Sequence, residues 1–308
     1  MNEYKLLIDP FLYPIVQKEQ QKVSPIYFGE RSKKICIYCG KSSDITSFKK
    51  EAHVIPAALG NRTLFNYNEC DHCNEHIFSS VENELANYLM LDRIFIGAKK
   101  RNGFPKFKAS SKGNSSIEHS ADSRTIILKV DETESKFEVI VDETKKLIKF
   151  IIDSPPSYSP ASICKSLVHM IWPFLSLEIR QKLSHISTWL LGEVELLPLF
   201  LDITFVPGNG FDNVILECWE SVDENSDFPL MVRFTFGLRI ISFFIPASSI
   251  VCSEPMLFPN YIQLAEREEE IRVDRMKIIS NGRLELENLS YTMKFDSASK
   301  LIKEMETE

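Results

Sequence analysis

From Arg124 onward, apolar and polar residues alternate with a period of two. TIILKV, KFEVIV and KLIKFII follow one another, separated by Asp-Glu-Thr turns, and predict three strands. Farther along, FLDITFV, NVILECWE, LMVRFTFGL and RIISFFIPA predict four more, and RLELENLSYTMKF one or two near the end. The period changes in two places. Residues 161–175, ASICKSLVHMIWPFL, read as a buried helix ended near Pro173, and residues 177–191, LEIRQKLSHISTWLL, as a second. Residues 262–277 contain the run EREEE and read as a solvated helix. This half is α+β, with mainly antiparallel strands.

The first third of the chain is patterned differently. Pro10, Pro14 and Pro25 break any long helix, so residues 1–30 read as an arm or short strands. Ser47 to Ile55 read as a short strand closed by Pro56, and Leu59-Gly60-Asn61 as a turn. Residues 74–91 read as a helix, because Ile77, Val81, Leu85, Tyr88 and Leu89 recur at three- and four-residue intervals. Residues 97–116 are rich in Gly, Ser, Lys and Pro with no apolar period, and read as a loop or linker. The expected division is residues 1–112, with an arm and a basic linker, and residues 113–308.

The chain has 308 residues, 44% hydrophobic, enough for two cores. No apolar run reaches the ~18 residues of a membrane span. Asp9, Pro10 and Pro14 interrupt the N-terminal stretch, so it does not read as a signal peptide, and a cytoplasmic protein without membrane contact is expected. Net charge is −7, but residues 1–112 carry 17 Lys/Arg against 12 Asp/Glu, so residues 113–308 are the acidic part. Lys99, Lys100, Arg101, Lys106, Lys108 and Lys112, interleaved with Phe104 and Phe107, read as a phosphate-contacting segment, or as a solvated linker.

Of seven cysteines, Cys164, Cys218 and Cys252 sit in apolar surroundings and read as buried fillers. The other four form two pairs, Cys36/Cys39 and Cys70/Cys73. In a reducing compartment, paired Cys-x-x-Cys spacing favours a tetrahedral zinc over disulfides. The gap, residues 40–69, is longer than in a simple ribbon and leaves room for a hairpin between the knuckles.

Within that gap lies Glu51-Ala52-His53-Val54-Ile55-Pro56, then Gly60-Asn61, and Asn74 directly follows Cys73. This combination resembles the cysteine-flanked HNH, or ββα-metal, endonucleases over about residues 31–92. The resemblance implies a zinc-stapled ββα-metal module ahead of a larger mixed α+β domain. His53 would be the general base that activates water against phosphorus. Asn74 would bind a single catalytic Mg²⁺ or Mn²⁺, distinct from the structural zinc. Where the family commonly has an acidic ligand just before the histidine, this chain has Ala52; Glu51, on the same strand face as His53, or Glu82, would take that place. The asparagine that holds the histidine strand through backbone bonds would be Asn66 or Asn61, with Asn66 preferred. His72 and His76 are weaker candidates beside the knuckle.

The expected activity is therefore hydrolysis of double-stranded DNA, in an enzyme resembling effectors of bacterial anti-phage or restriction systems. Residues 113–308 would regulate it, mediate self-association as a homo-oligomer, or sense an activating ligand or partner protein. Ala52 sustains an alternative, a non-catalytic zinc module that binds nucleic acid or a protein. His169 and His185, on apolar helices, read as packing residues, and the three tryptophans as core.

Overall fold

The structure, a computed structural model, describes residues 4–15, 23–100, 102–108, 113–120, 125–131, 133–134, 137–153, 157–194, 200–206, 210–248, 272–277, 282–284 and 289–294. Cys252, Arg101, Lys112 and the EREEE run lie outside these residues.

The largest element is a six-stranded antiparallel sheet. Its order is β1 (Tyr4–Pro14), β11 (Phe211–Ser221), β12 (Leu230–Gly237), β13 (Arg239–Ile245), β10 (Phe200–Phe205), β14 (Arg272–Lys277). Four of these strands are the predicted alternating segments. Alternation fixes their register. Leu216 faces Phe234, Phe234 faces Ile241, and Ile241 faces Ile203, so one face carries an unbroken apolar row.

Helix α3 (Pro160–Ile171) belongs to the same core. Ser159 caps it by accepting from the Ser162 amide, and Pro160 occupies its first turn. It is apolar nearly all round, which is how a helix enclosed by other elements reads. The second predicted helix is two short ones, α4 (Leu177–Lys182) and α5 (Ser184–Leu190).

Three expectations change. The N-terminal arm is an 11-residue strand, β1, paired with β11. Its prolines and two register shifts are tolerated because it lies at the sheet edge, where an unpaired amide costs nothing. The basic segment is not all loop. β5 (Lys106–Lys108) pairs with β6 (Ser116–His119), which pairs with β7 (Ile126–Lys129). Phe107, buried between two exposed lysines, drives that pairing. Finally, Arg272–Lys277, expected to be helical, is strand β14 against β10. A second small sheet joins β8 (Phe137–Asp142), β9 (Leu147–Ile152) and β15 (Leu289–Lys294).

The cysteine-bearing segment packs into the main core. Cys36, Tyr38, Cys70, Cys73, Phe78, Leu85 and Leu89 belong to the same buried cluster as Cys164, Trp172 and Phe243. Two polar seams fix the junction. In the first, Tyr38 Oη donates to the His169 carbonyl at 3.1 Å, and Trp172 Nε1 donates to the Ile37 carbonyl at 3.1 Å. In the second, Asp92 on α2 (Met90–Phe95) pairs with Arg239 at 2.8 Å and accepts from the Leu238 amide at 3.0 Å.

His169 is the densest part of the junction. Its Nε2 lies 3.2 and 3.1 Å from the two Glu69 oxygens, and its Nδ1 lies 3.4 Å from Glu82. Its ring stacks on Phe78 at 4.0 Å. Burial opposes the charged imidazole, but the Glu69 and Glu82 carboxylates outweigh it and hold the His169 pKa up. Burial also raises the Glu69 carboxyl, against the pull of His169. A buried pair of this kind contributes little net stability, yet breaking one side strands a charge. His169→Leu should therefore destabilise the chain by about 3–5 kcal/mol in urea unfolding. The double variant with Glu69→Gln should recover part of that loss, and a double variant no better than the single one would refute the pairing argument.

Candidate active site and metal centre

The four cysteine thiols converge. Their sulfurs all lie within 4.8 Å of one another, with Cys36 and Cys73 at 3.8 Å and Cys39 and Cys70 at 3.7 Å. A tetrahedron with Zn–S of ~2.3 Å has an edge of about 3.8 Å, so the donor set and its spacing both fit zinc. Three of the thiols are buried. The Cys36 and Cys73 sulfurs are hydrogen-bonded to each other, and that bond pulls the Cys36 pKa down and pushes that of Cys73 up. Four thiolates this close need a cation between them. Among the described residues, no other group of three or more His, Cys, Asp or Glu converges in this way.

Each knuckle is a backbone device. The Gly40 amide donates to the Cys36 carbonyl at 2.9 Å, and Gly40 takes a left-handed φ of 68° to close the turn. The second knuckle opens a helix, where the Asn74 amide donates to the Cys70 carbonyl at 3.1 Å. Cys73–Phe78 is a wide π-helical turn that runs into α1 (Ser79–Tyr88), and α2 follows after a break at Leu89. The single predicted helix is thus three pieces. The order strand, turn, strand, helix holds, but the first strand, β3, is only Ala52–His53.

β3 pairs antiparallel with β4 (Leu64–Asn66), placing His53 opposite Phe65 and Ala52 opposite Asn66. β2 (Ile26–Phe28), one of the short strands expected within residues 1–30, pairs parallel with the other side of β4. His53 is half-buried, its ring 5.0 Å from that of Phe65.

The backbone bonds expected of Asn66 are made by Asn61. Asn61 Nδ2 donates to the Ile55 and Leu64 carbonyls at 2.6 and 2.9 Å, and its Oδ1 accepts from the Thr63 and Leu64 amides at 3.0 and 2.9 Å. The side chain is fully buried and spans the loop between the two strands. Asn66 accepts from the Asn68 amide at 3.0 Å, and this bond does not reach the histidine strand. Asn61 wins because it directly follows the left-handed Gly60, at φ 91°, which turns the chain back between the strands. Asn61→Ala leaves several buried backbone groups unpaired, so a loss of about 3 kcal/mol is expected in thermal or urea unfolding.

A residue the sequence reading missed clasps the segment leading into β3 to the knuckle. The Asp71 carboxylate accepts from Ser47 Oγ at 2.6 Å, from the Lys49 amide at 3.0 Å and from the Lys50 amide at 2.9 Å. Partial burial disfavours its charge, but these donors outweigh that and hold its pKa below the usual carboxylate value. Residue type alone gives an Asp inside a cysteine knuckle no distinct role; only its partners 21 to 24 residues upstream reveal the clasp. Lys50 also pairs with Glu75.

The acids expected near a catalytic cation are engaged elsewhere. Glu51 is exposed and accepts from Tyr27 Oη at 2.8 Å. Glu82 turns toward His169, and burial, with Glu69 adding to it, pushes its pKa up to about 7. Asn74 is half-buried at the start of the helical turn. Among the described residues, Glu51 and Glu82 belong to no converging group of three His, Cys, Asp or Glu side chains. Of the basic residues, Lys99 lies 5.4 Å over the Phe104 ring, Lys100 pairs through its backbone with Gly103, and Lys106 pairs with Glu118 at 3.2 Å. Lys108 is exposed on β5. His72 and His76 are exposed, with rings 5.3 Å apart.

Residues 36–90 match the family model for HNH endonucleases. The four-cysteine cluster lies within that match, as in the cysteine-flanked form. No curated protein and no solved structure matched the chain. Among the described residues, no helix is long and apolar enough to cross a membrane.

Proposed function

We propose that the chain is an HNH endonuclease that hydrolyses phosphodiester bonds in double-stranded DNA, with His53 as general base. The supporting observation is the geometry around His53 within the matched segment. The chain just after the His53 strand is held by Asn61, and the segment just before it by Asp71, which hangs from the second cysteine knuckle. His53 would take a proton from water in line with phosphorus, a role that needs a fixed ring more than a strong base. Family membership of the segment implies a divalent cation, Mg²⁺ or Mn²⁺, which would stabilise charge on the leaving oxygen. The donor arrangement described above does not supply its site, so the mechanism is carried no further than the proton transfer. Incubation of the full chain with plasmid and linear DNA, with and without Mg²⁺ or Mn²⁺, tests this. Divalent-dependent nicking or linearisation supports the reading, and intact DNA at every metal concentration overturns it.

A second reading follows from Ala52 and from the engagement of Glu51 and Glu82. It is a zinc module that binds nucleic acid or a protein without cutting. It expects DNA retention in a mobility shift without added divalent cation, and no product. Residues 113–308, being acidic, take a regulatory, sensing or self-association role in this proposal rather than a DNA-reading one. A setting in anti-phage defence or restriction, in the cytoplasm, belongs to the same proposal.

A further inference from the structure

The sheet that carries His53 presents an aromatic row that general-base chemistry does not use. Directly paired residues share a face, so Tyr27 on β2, Phe65 on β4 and His53 on β3 stand side by side. Tyr67, two positions after Phe65, continues the row, and its amide donates to the Phe28 carbonyl at 2.9 Å. The Tyr27 and Tyr67 rings are stacked 4.4 Å apart and within 5° of parallel. Tyr27 and Phe65 stack at 5.4 Å. Lys34 Nζ lies 5.9 Å from the Tyr67 ring centre and 5.5 Å from that of Phe48.

Burial separates the base of this ladder from its outer end. Phe65 is buried, whereas Tyr27 and Tyr67 are half-exposed. A cluster formed only to pack would hide its largest rings and leave no cation at the end. Here the outer rings are accessible, Lys34 stands over one of them, and Arg31 is exposed just after β2. Parallel aromatic faces with adjacent cations suit a flat base and its phosphate. A strand with its scissile phosphate at His53 would bring a neighbouring nucleotide onto this row.

We propose that Tyr27 and Tyr67 form a stacking platform for a nucleobase next to the scissile phosphate, so that the chain takes DNA with at least one base unstacked at the cut. This rests on the nuclease reading for what happens at His53, but not for the binding itself. Tyr67, with Lys34 beside it, is the contact with the largest expected effect.

The test uses the full chain carrying His53→Ala, so that bound DNA stays intact. A single-stranded oligonucleotide with 2-aminopurine at one position is titrated in, beside the same oligonucleotide with an abasic residue there. Stacking on tyrosine should quench the 2-aminopurine, and the abasic strand should bind about 5- to 100-fold more weakly. Tyr67→Leu should remove the quench and the preference, while Tyr67→Phe should keep both. Equal affinity for the intact and abasic strands overturns the platform, and that comparison needs no variant at Tyr67, so misfolding of Tyr67→Leu cannot obscure it. The two proposals fail separately. Cleavage by the unsubstituted chain without base-dependent binding removes the platform alone. Base-dependent binding without cleavage removes the nuclease alone.

Discussion

His53→Ala is expected to reduce DNA cleavage by at least about 100-fold, the lower range for loss of a general base. Zinc content and the unfolding midpoint should stay at wild-type values. The strand does not depend on the imidazole. Its hydrogen bonds run from the Val54 amide to the Leu64 carbonyl at 3.1 Å and from Asn61 to the Ile55 carbonyl at 2.6 Å, and both survive the substitution. Among what goes is the contact of a half-buried ring with Phe65, of the kind whose loss costs about 0.5 kcal/mol. A large drop in rate with no change in fold is the signature of chemistry. Added imidazole should restore part of the activity, which a structural defect would not allow. Unchanged cleavage by the variant would falsify the assignment of His53.

The second large effect concerns the four-cysteine site, whose spacing fits zinc. Cys70→Ala, or stripping of the metal with a strong chelator, should unfold the matched segment and abolish cleavage. Structural zinc sites carry apparent binding free energies of about 10–16 kcal/mol. Whole domains are stable by only about 5–15 kcal/mol, so loss of the site outweighs what the small three-stranded sheet supplies. The damage should reach the larger half as well. Tyr38 lies between Cys36 and Cys39 and donates to the His169 carbonyl, and Trp172 Nε1 donates to Ile37 in the same knuckle. Tryptophan emission should therefore shift as zinc leaves, in step with zinc measured per chain. Complete zinc loss with unshifted emission and intact activity would show that the four thiols are not a structural site.

Much of the fold could be read from the chain because its strands have one face against the apolar core. The segments FLDITFV, NVILECWE, LMVRFTFGL and RIISFFIPA became β10 to β13; close spacing pairs β11 with β12 and β12 with β13, whereas β10 pairs with β13 rather than with its neighbour in the chain. The failures have separate causes. β1 was obscured by Pro10 and Pro14, which an edge strand accommodates. β5 was obscured by lysines, because one buried phenylalanine is too few to set a period. At the site, the cysteines and His53 stood out by residue type and spacing. Asn61 stood only second to Asn66 and Asp71 not at all, because their roles consist of hydrogen bonds to backbone, and any asparagine or aspartate can offer those. Glu82 was read as a metal ligand from its place on the helix, and His169 as packing from its apolar neighbours. Placed together, with Glu69, they form a buried charged group.

The sequence by itself determined the donor atoms. Four thiols in two Cys-x-x-Cys turns, one imidazole in a short strand between them and an amide after the last cysteine are chemical facts of the chain, and local spacing suffices to pair each thiol with its neighbour. Only the tertiary structure decided which side chains those donors would meet. The Glu69–Glu82–His169 group, the Asp71 clasp and the row from His53 to Tyr67 join residues far apart in the chain. Such meetings are set by how the strands and helices close on one core, and no local periodicity encodes them.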